Sequence, residues 1–289
     1  MIDYFYNRCG ICIEENCRKQ GKEPGSCNCK DCQILGKCPK ILHATIRITN
    51  KCTQECKHCC FSSSPKSNIM MTPEMAKKIV KFSESNGVLI YNIMGGEFFC
   101  NPRWHEILDI FLSSEVLFVR LVSNGDWYGR RDVKELLSDL FERYQVKFKI
   151  SISKDKFHKN SWLDSDLLGF LKMTKGKYNV GTMDNMAVVP IGRAWLEYSF
   201  YSIAKYCDNP ENKYSFLIDE EGQIYKCGFG VLPYANISEF LEGGFRKVFK
   251  EVSQKFYGQF LLTCRQCIGA YEDNKSMVER RGFKLLRRE

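Results

Sequence analysis

A regular alternation of strand-like and helix-like segments begins near residue 43 and limits the folds open to this chain. Strands are predicted where β-branched and aromatic residues cluster, at His43–Thr49, Val88–Met94, Val116–Val122, Val146–Ser153 and Met186–Pro190. Helical patterns separate them, from Pro73 to near Gly87, after Pro102, over Val133–Tyr144 and over Asp164–Met173. This order favours parallel strands joined by crossover helices. Five strands are too few for a closed eight-stranded barrel, so we predict an α/β fold with a partial (β/α)6-type TIM barrel over residues 41–204.

Chemically unusual residues follow each predicted strand. In folds of this type the functional residues lie at the carboxyl ends of the parallel strands. A cysteine-rich loop follows the first strand. The residues that end or follow the other strands are Gly95, Gly96, Glu97, Asn124, Ser151, Ser153 and Arg193. We therefore expect these side chains to share one edge of the sheet.

Sixteen cysteines stand in a chain whose first residues, MIDYFYNRCG, do not resemble a secretory signal. A cytoplasmic location is therefore expected, where clustered thiols are metal ligands more often than disulfides. No apolar run is long enough to span a bilayer. The net charge of +9 suits an acidic partner. The basic residues are spread along the chain, which does not favour nucleic-acid binding.

Three cysteines in the first loop have the spacing of a metal site, Cys52-x3-Cys56-x2-Cys59. A cubane iron–sulfur cluster needs four ligands, and thiolates are its usual donors. Three ligands leave one iron open to an outside molecule. The adjacent Cys60 is a poor fourth ligand, because neighbouring side chains diverge in an extended loop. A zinc site remains the alternative from spacing alone.

The cysteine loop, together with Gly95-Gly96-Glu97 after the second strand, resembles the signature of the radical S-adenosylmethionine (SAM) superfamily. The resemblance implies a 4Fe–4S cluster on Cys52, Cys56 and Cys59, with SAM bound to the open iron. It also implies that the Gly-Gly-Glu motif holds the methionine amino group of SAM. The other cofactor-binding residues that it suggests are Asn124, Ser151 and Ser153, near the ribose and carboxylate, and Arg193, near the adenine.

Four cysteines near the end of the chain resemble a second family motif, the twitch module, a short relative of the SPASM domain. They are Cys207, Cys227, Cys264 and Cys267. The resemblance implies that they ligate an auxiliary 4Fe–4S cluster, with zinc as the alternative. A β-hairpin is predicted from Tyr214 to Cys227, with Gly222 in the turn because that position needs a positive φ. A helix over residues 245–260 follows, and residues 205–289 are predicted to form this module.

Residues 1–40 are rich in cysteine and short of apolar periodicity, so metal is needed to hold their shape. The seven thiols match no pattern of the family. They suffice for a further iron–sulfur cluster or a zinc site. The candidate ligands are Cys9, Cys12, Cys17, Cys27, Cys29, Cys32 and Cys38.

The resemblance implies an enzyme that forms a 5′-deoxyadenosyl radical and abstracts hydrogen from its substrate. The expected substrate is a ribosomally made peptide with an acidic leader, modified by cross-linking, oxidation or epimerisation. Cys60 and Cys100 are the candidate hydrogen-atom donors, and a flavodoxin or ferredoxin is the expected electron donor. One alternative is a dehydrogenase of a sugar or aminocyclitol. Another is a non-catalytic zinc or iron–sulfur protein that binds nucleic acid.

Overall fold

The computed structural model describes residues 43–86, 88–154, 157–158, 164–173, 177–181, 215–225 and 233–239. Several predictions from the sequence lie outside these residues. They are the seven N-terminal cysteines, the strand Met186–Pro190, Arg193, the helix over residues 245–260, and Cys207, Cys227, Cys264 and Cys267.

The described residues form one eight-stranded sheet with four α-helices. The strands are β1 (His43–Arg47), β2 (Ile90–Met94), β3 (Phe118–Ser123), β4 (Phe148–Ser153), β5 (Lys177–Gly181), β6 (Ser215–Ile218), β7 (Gln223–Tyr225) and β8 (Pro233–Asn236). The helices are α1 (Pro73–Asn86), α2 (Trp104–Ser113), α3 (Arg131–Arg143) and α4 (Asp164–Met173). The strand order is β5-β4-β3-β2-β1-β6-β7-β8. Pairing is parallel from β5 to β6 and antiparallel from β6 to β8.

One face of the parallel strands carries the helices. Successive side chains of a strand point to opposite faces, and alternate residues such as Ile46, Tyr91 and Leu121 share one buried core with the helices. In α3 the core residues recur at helical spacing, at Val133, Leu137, Leu140 and Phe141. The opposite face of the same strands carries polar residues. This asymmetry places the hydrophobic core on the helix side of the sheet.

The structure confirms four predicted strands and four predicted helices, with shifts of a few residues at their ends. The hydroxyl of Thr72 accepts a hydrogen bond from Met75 N at 3.2 Å, as expected of a residue that caps α1. The strand β5 was missed. In its sequence, KYNVG, the strand-favouring Tyr178 and Val180 alternate with lysine, asparagine and glycine, which are depleted in strands. Five register pairs with β4 hold the segment in place.

The predicted hairpin is present as β6 and β7, which pair through Leu217 with Tyr225 and Ile218 with Ile224. Gly222 has a φ of +78° in the turn. A Cβ there would lie 2.8 Å from both Ile237 and Met75, so glycine is needed for space as well as for conformation. The hairpin does not stand apart, because β6 pairs in parallel with β1. The sheet therefore continues past residue 204, and the domain boundary placed there stays a prediction, as does closure into a partial barrel.

Within the described ranges, no helix has both the length and the apolar character to cross a bilayer.

Candidate active site at the carboxyl edge of the sheet

Three loops meet where β1, β2 and β3 end, since parallel strands present their carboxyl ends at the same edge. We call the segment Cys52–Cys60 the cysteine loop. The second loop is the turn Gly95–Glu97, and the third is the turn Asn124–Asp126. Contacts among these three loops define the site.

The turn Gly95–Glu97 is bound backbone to backbone to the stem of the cysteine loop. The amide of Gly96 donates to Thr49 O at 2.7 Å, and the amide of Glu97 donates to Lys51 O at 2.8 Å. A Cβ on Gly95 would lie 2.9 Å from Thr49 Cγ2, and one on Gly96 would overlap the Lys51 carbonyl. Both glycines are required because the two main chains approach too closely for a side chain.

The carboxylate of Glu97 joins the turns after β2 and β3. It is buried and accepts from the Ser123 hydroxyl at 2.9 Å, from Asn124 N at 2.8 Å and from Phe99 N at 3.4 Å. Burial raises the pKa of Glu97 to about 7, against the lowering effect of these hydrogen bonds. The Glu97 carboxylate therefore holds the turns after β2 and β3 together. A role of the Gly-Gly-Glu motif in binding the methionine amino group of SAM stays a prediction.

The turn after β3 also forms hydrogen bonds with the cysteine loop. Asp126 Oδ2 accepts from the Thr53 hydroxyl at 2.6 Å and from Gln54 Nε2 at 2.8 Å. The side-chain nitrogen Nδ2 of Asn124 donates to the Thr53 hydroxyl at 3.0 Å and lies 4.0 Å from Cys52 Sγ. Thr53 and Gln54 stand between Cys52 and Cys56. These contacts therefore fix the segment that sets the spacing of the first two candidate ligands.

The three candidate cluster ligands carry reduced thiols on this loop. Burial raises the pKa of the Cys52 thiol to about 12, and the nearby Cys59 and Cys56 add to the rise. Cys52 accepts from Gln54 N at 3.4 Å, while Cys56 donates to Gln54 Oε1 at 3.3 Å. In the described part of the chain, no three ligand side chains are already arranged around a common metal position. The donor set fits an iron–sulfur cluster, because the Cys56 and Cys59 thiols both lie within electrostatic reach of the Cys52 thiol.

The remaining predicted site residues differ in how far their side chains are buried. Ser151 is buried at the end of β4 and accepts from Arg120 Nε at 2.8 Å, while Ser153 is half-buried. Cys60 packs beside a small apolar cluster of Phe61, Leu217 and Tyr225. The structure thus brings the three loops together and places Ser151 on the neighbouring strand.

The two candidate hydrogen-atom donors occupy different surroundings. Cys60 lies with Met94 against the apolar cluster formed by Phe61 and the hairpin. Cys100 ends the short 3-10 helix Phe98–Cys100, whose two phenylalanines belong to the core on the helix side. Burial raises the pKa of the Cys100 thiol to about 11. Only Cys60 is therefore placed beside the helix-free face of the sheet.

Sequence reasoning missed the residues that hold the loops together. Asp126 was not singled out, although its position after Ser123-Asn124-Gly125 was a signal, and Gly125 has a φ of +85°. Arg47 was also missed. It ends β1 on the helix-free face and forms a buried ion pair with Glu220 in the hairpin turn. A charged residue within an otherwise apolar strand was the available signal for this pair.

Residues 46–181 match the family model described as the radical SAM superfamily. This span runs from β1 to the end of β5, and it includes all three loops of the site. The chain contains a radical SAM domain. The family implies a 4Fe–4S cluster and SAM as cofactors of this domain, which agrees with the donor set of the cysteine loop.

Two curated relatives of the radical SAM domain come from Bacillus subtilis (strain 168). The antilisterial bacteriocin subtilosin biosynthesis protein AlbA is 36% identical over 117 residues, which cover 40% of this chain and 25% of AlbA. The putative peptide biosynthesis protein YydG is 28% identical over 147 residues, which cover 50% of this chain and 45% of YydG. The matches therefore span less than half the length of either relative.

A solved structure, that of BtrN in complex with AdoMet and 2-DOIA, resembles this chain with a TM-score of 0.51. The match has 13% sequence identity and covers 74% of this chain and 86% of BtrN. At this identity the likeness concerns the fold alone. The match to the family model confirms the predicted radical SAM resemblance. The strand pairing and the likeness to BtrN confirm the mostly parallel α/β fold.

Proposed function

We propose that this chain is a radical SAM enzyme that modifies a ribosomally synthesised peptide. The observation that carries the proposal is the three-loop site of the radical SAM domain. There backbone hydrogen bonds join the stem of the cysteine loop, at Thr49 and Lys51, to the turn Gly95–Glu97, and side-chain hydrogen bonds join the loop itself to Asp126. When bound, the cluster and SAM supply a 5′-deoxyadenosyl radical that abstracts a hydrogen atom from the substrate.

The chain's own residues give this chemistry its geometry. Cys52, Cys56 and Cys59 supply the thiolates, and Glu97 and Asp126 hold their loop against the ends of β2 and β3. Asn124, Ser151 and Ser153 are the proposed contacts for the polar groups of SAM. Backbone hydrogen bonds and carboxylate side chains hold the loops of this site in fixed positions. Reactants bound there are oriented before they react, and this orientation lowers the activation free energy of the reaction.

The peptide substrate is supported by the curated relatives, both of which are named for peptide or bacteriocin biosynthesis. Their names favour a peptide over the sugar or aminocyclitol alternative. The radical SAM domain also gives Gly95-Gly96-Glu97 a role, which a nucleic-acid-binding protein would not need. The net charge of +9 suits a substrate with an acidic leader sequence. A flavodoxin or ferredoxin in the cytoplasm is the proposed electron donor.

The finer reaction type depends on residues beyond the three loops. An auxiliary cluster on Cys207, Cys227, Cys264 and Cys267 would accept an electron from the substrate radical and make the reaction a net oxidation, such as a cross-link. Epimerisation would instead require a hydrogen atom from a cysteine. Cys60 is the better placed of the two candidates, because it lies beside the helix-free face.

The proposal is tested by measuring 5′-deoxyadenosine from anaerobically reconstituted, dithionite-reduced protein supplied with SAM. Iron and zinc are counted on the same sample. The control is the variant with Cys52→Ala, Cys56→Ala and Cys59→Ala, checked for folding by circular dichroism. Deoxyadenosine that depends on these cysteines supports the proposal. An iron-loaded protein that makes none overturns it, and a zinc-loaded protein favours the binding-protein alternative.

The substrate class is tested separately with short peptides encoded beside the gene. Mass spectrometry distinguishes the reactions. A cross-link removes two hydrogen atoms, whereas epimerisation leaves the mass unchanged in ordinary water and introduces a deuterium atom when the reaction is run in heavy water. A product from an aminocyclitol, with no reaction on any encoded peptide, would replace the peptide by the small-molecule substrate.

A further inference from the structure

A transverse row of polar residues crosses the helix-free face of the parallel sheet. The register pairs Thr45 with Asn92, Asn92 with Arg120, and Arg120 with Lys149. The flanking residues Val119, Leu121, Phe148 and Ile150 belong to the core on the helix side. Because side chains alternate along a strand, Arg120 and Lys149 point to the face without helices.

Arg120 and Lys149 are direct neighbours in this row, on two adjacent parallel strands. Adjacent strands lie about 5 Å apart, so the two positively charged side chains start side by side. Like charges directly opposite each other destabilise a sheet. Both side chains are half-buried, which weakens the screening of their repulsion by water. Lys177 occupies the next position of the same row.

The positive charge of this pair is not balanced within the described part of the chain. Arg120 Nε donates to the neutral hydroxyl of Ser151 at 2.8 Å, and no acidic side chain among the described residues pairs with Arg120 or Lys149. Arg47, on the same face, has Glu220 at 2.7 Å and Asp219 at 3.9 Å. Among the residues that the structure describes, the fold therefore neutralises one cation of this face and leaves two adjacent ones without a counter-charge.

The bond to Ser151 also orients Arg120. It uses Nε and leaves the two terminal nitrogens of the guanidinium without a hydrogen bond to any described residue. These nitrogens form the planar fork that binds a carboxylate through two parallel hydrogen bonds. Lys149 adds a second positive charge beside the fork. Ser151 lies two residues nearer the carboxyl edge on β4, so the pair sits just below the three-loop site.

We propose that Arg120 and Lys149 bind a carboxylate of the peptide substrate and thereby set which residue faces the radical. This assignment rests on the proposed function, since it names a feature of the substrate of the same site. The carboxylate comes from an aspartate or glutamate side chain or from the peptide's own C-terminus, and both offer the same planar anion. Substrate binding then relieves the repulsion between the two cations.

Thermal unfolding of the anaerobically reconstituted protein, without SAM, tests the pair directly. The probe is a hexaglutamate peptide blocked at both termini, compared with blocked hexaglutamine. Hexaglutamate is expected to raise Tm of the unchanged protein, and Lys149→Met is expected to lose most of that rise. The matched control is Lys78→Met on the solvent-exposed side of α1, which should retain it. An equal rise in both variants would reveal general attraction to a basic surface and would overturn the proposal.

The source of the carboxylate is determined by repeating the Tm measurement with hexaglutamine that has a free C-terminus. A rise in Tm with this peptide alone assigns the pair to the substrate's C-terminus, and a rise with blocked hexaglutamate assigns it to an acidic side chain. No rise with either peptide overturns the proposal.

A second measurement separates substrate binding from SAM binding. Deoxyadenosine formed without peptide should have the same KM for SAM in Lys149→Met as in the unchanged protein. A tenfold higher KM would assign the pair to the carboxylate of SAM and overturn the inference. If the unchanged protein makes no deoxyadenosine, the proposed function fails instead, and the peptide-dependent shift of Tm still reports on the anion site.

Discussion

Arg47 Nε lies 2.7 Å from Glu220 Oε2, and the two side chains are only 6% and 1% exposed. The pair joins the last residue of β1 to the hairpin turn after β6, across 173 positions of sequence. The guanidinium carbon of Arg47 also lies 4.9 Å from the centre of the Phe61 ring, at the end of the cysteine loop. One buried cation therefore connects the hairpin to the segment that carries the candidate cluster ligands.

Replacing Glu220 with Ala is expected to lower the free energy of unfolding by about 3–5 kcal/mol, because it removes the close ion-pair partner of a buried charge. Among the described residues, Arg47 then keeps Asp219, at 3.9 Å, as an acidic partner. Urea unfolding followed by circular dichroism under anaerobic conditions measures the change. Glu135→Ala is the control, since its pair with Arg131 is exposed to water and contributes little to stability. Equal losses in both variants would contradict a structural role for the buried pair.

Gly96→Ala is expected to prevent the close approach of the turn Gly95–Glu97 to Lys51, because the added Cβ would overlap the Lys51 carbonyl. Overpacking of this kind costs about 1–3 kcal/mol, and deoxyadenosine formation should fall at least tenfold. Gly169→Ala in α4 is the matched control, since its Cβ would meet nothing within 4 Å. A Gly96→Ala protein with unchanged stability and unchanged deoxyadenosine formation would refute the backbone contact.

Asp126→Ala is expected to release Thr53 and Gln54, which both donate to its carboxylate. The cysteine loop should then hold its cluster less firmly, so that a chelator removes iron faster while the fold is retained. Iron loss is followed by the absorbance of the reconstituted protein. Asp139→Ala on α3 removes an exposed carboxylate paired with Arg143 and serves as the control. The clamp is disproved if both variants lose iron at the rate of the unchanged protein.

Cys264→Ala with Cys267→Ala is expected to leave deoxyadenosine formation intact and to block formation of the peptide product. The reason is that an auxiliary cluster would act after hydrogen abstraction, as the acceptor of an electron. Deoxyadenosine is quantified by chromatography and the peptide by mass spectrometry in one reaction. Unchanged product would remove the auxiliary cluster from the mechanism. Loss of deoxyadenosine as well would instead indicate a structural role for these cysteines.

The cysteine loop and the turn Gly95–Glu97 were predictable from the sequence because their information is local. The spacing of Cys52, Cys56 and Cys59 and the position of Gly95 and Gly96 after a strand can be read within a few residues. The strand–helix alternation was equally visible, since apolar periodicity records which face of each element is buried. Gly222 was identified for the same reason, because a tight turn leaves its own local signature.

The strand β5 and the clamps were not predictable in this way. Lys177–Gly181 becomes a strand through its pairing with β4, and the contacts of Asp126 and Glu220 join segments more than 70 residues apart. Hydrogen bonds and ion pairs of this kind leave no periodic pattern in the sequence, because each contact involves a single residue in each of the two segments that it joins.

The sequence by itself determined the alternation of elements, the candidate ligands and the family resemblance. Only the tertiary structure decided which side chains share a face and an edge. It showed that the carboxylate of Glu97 is held within the protein and that Arg47 is neutralised by Glu220. It also showed that Arg120 and Lys149 lie side by side with no counter-charge from any described residue. The physical reason is that the neighbours of a charge on the sheet come from strands far apart in the sequence, and pairing between such strands is decided only when the chain folds.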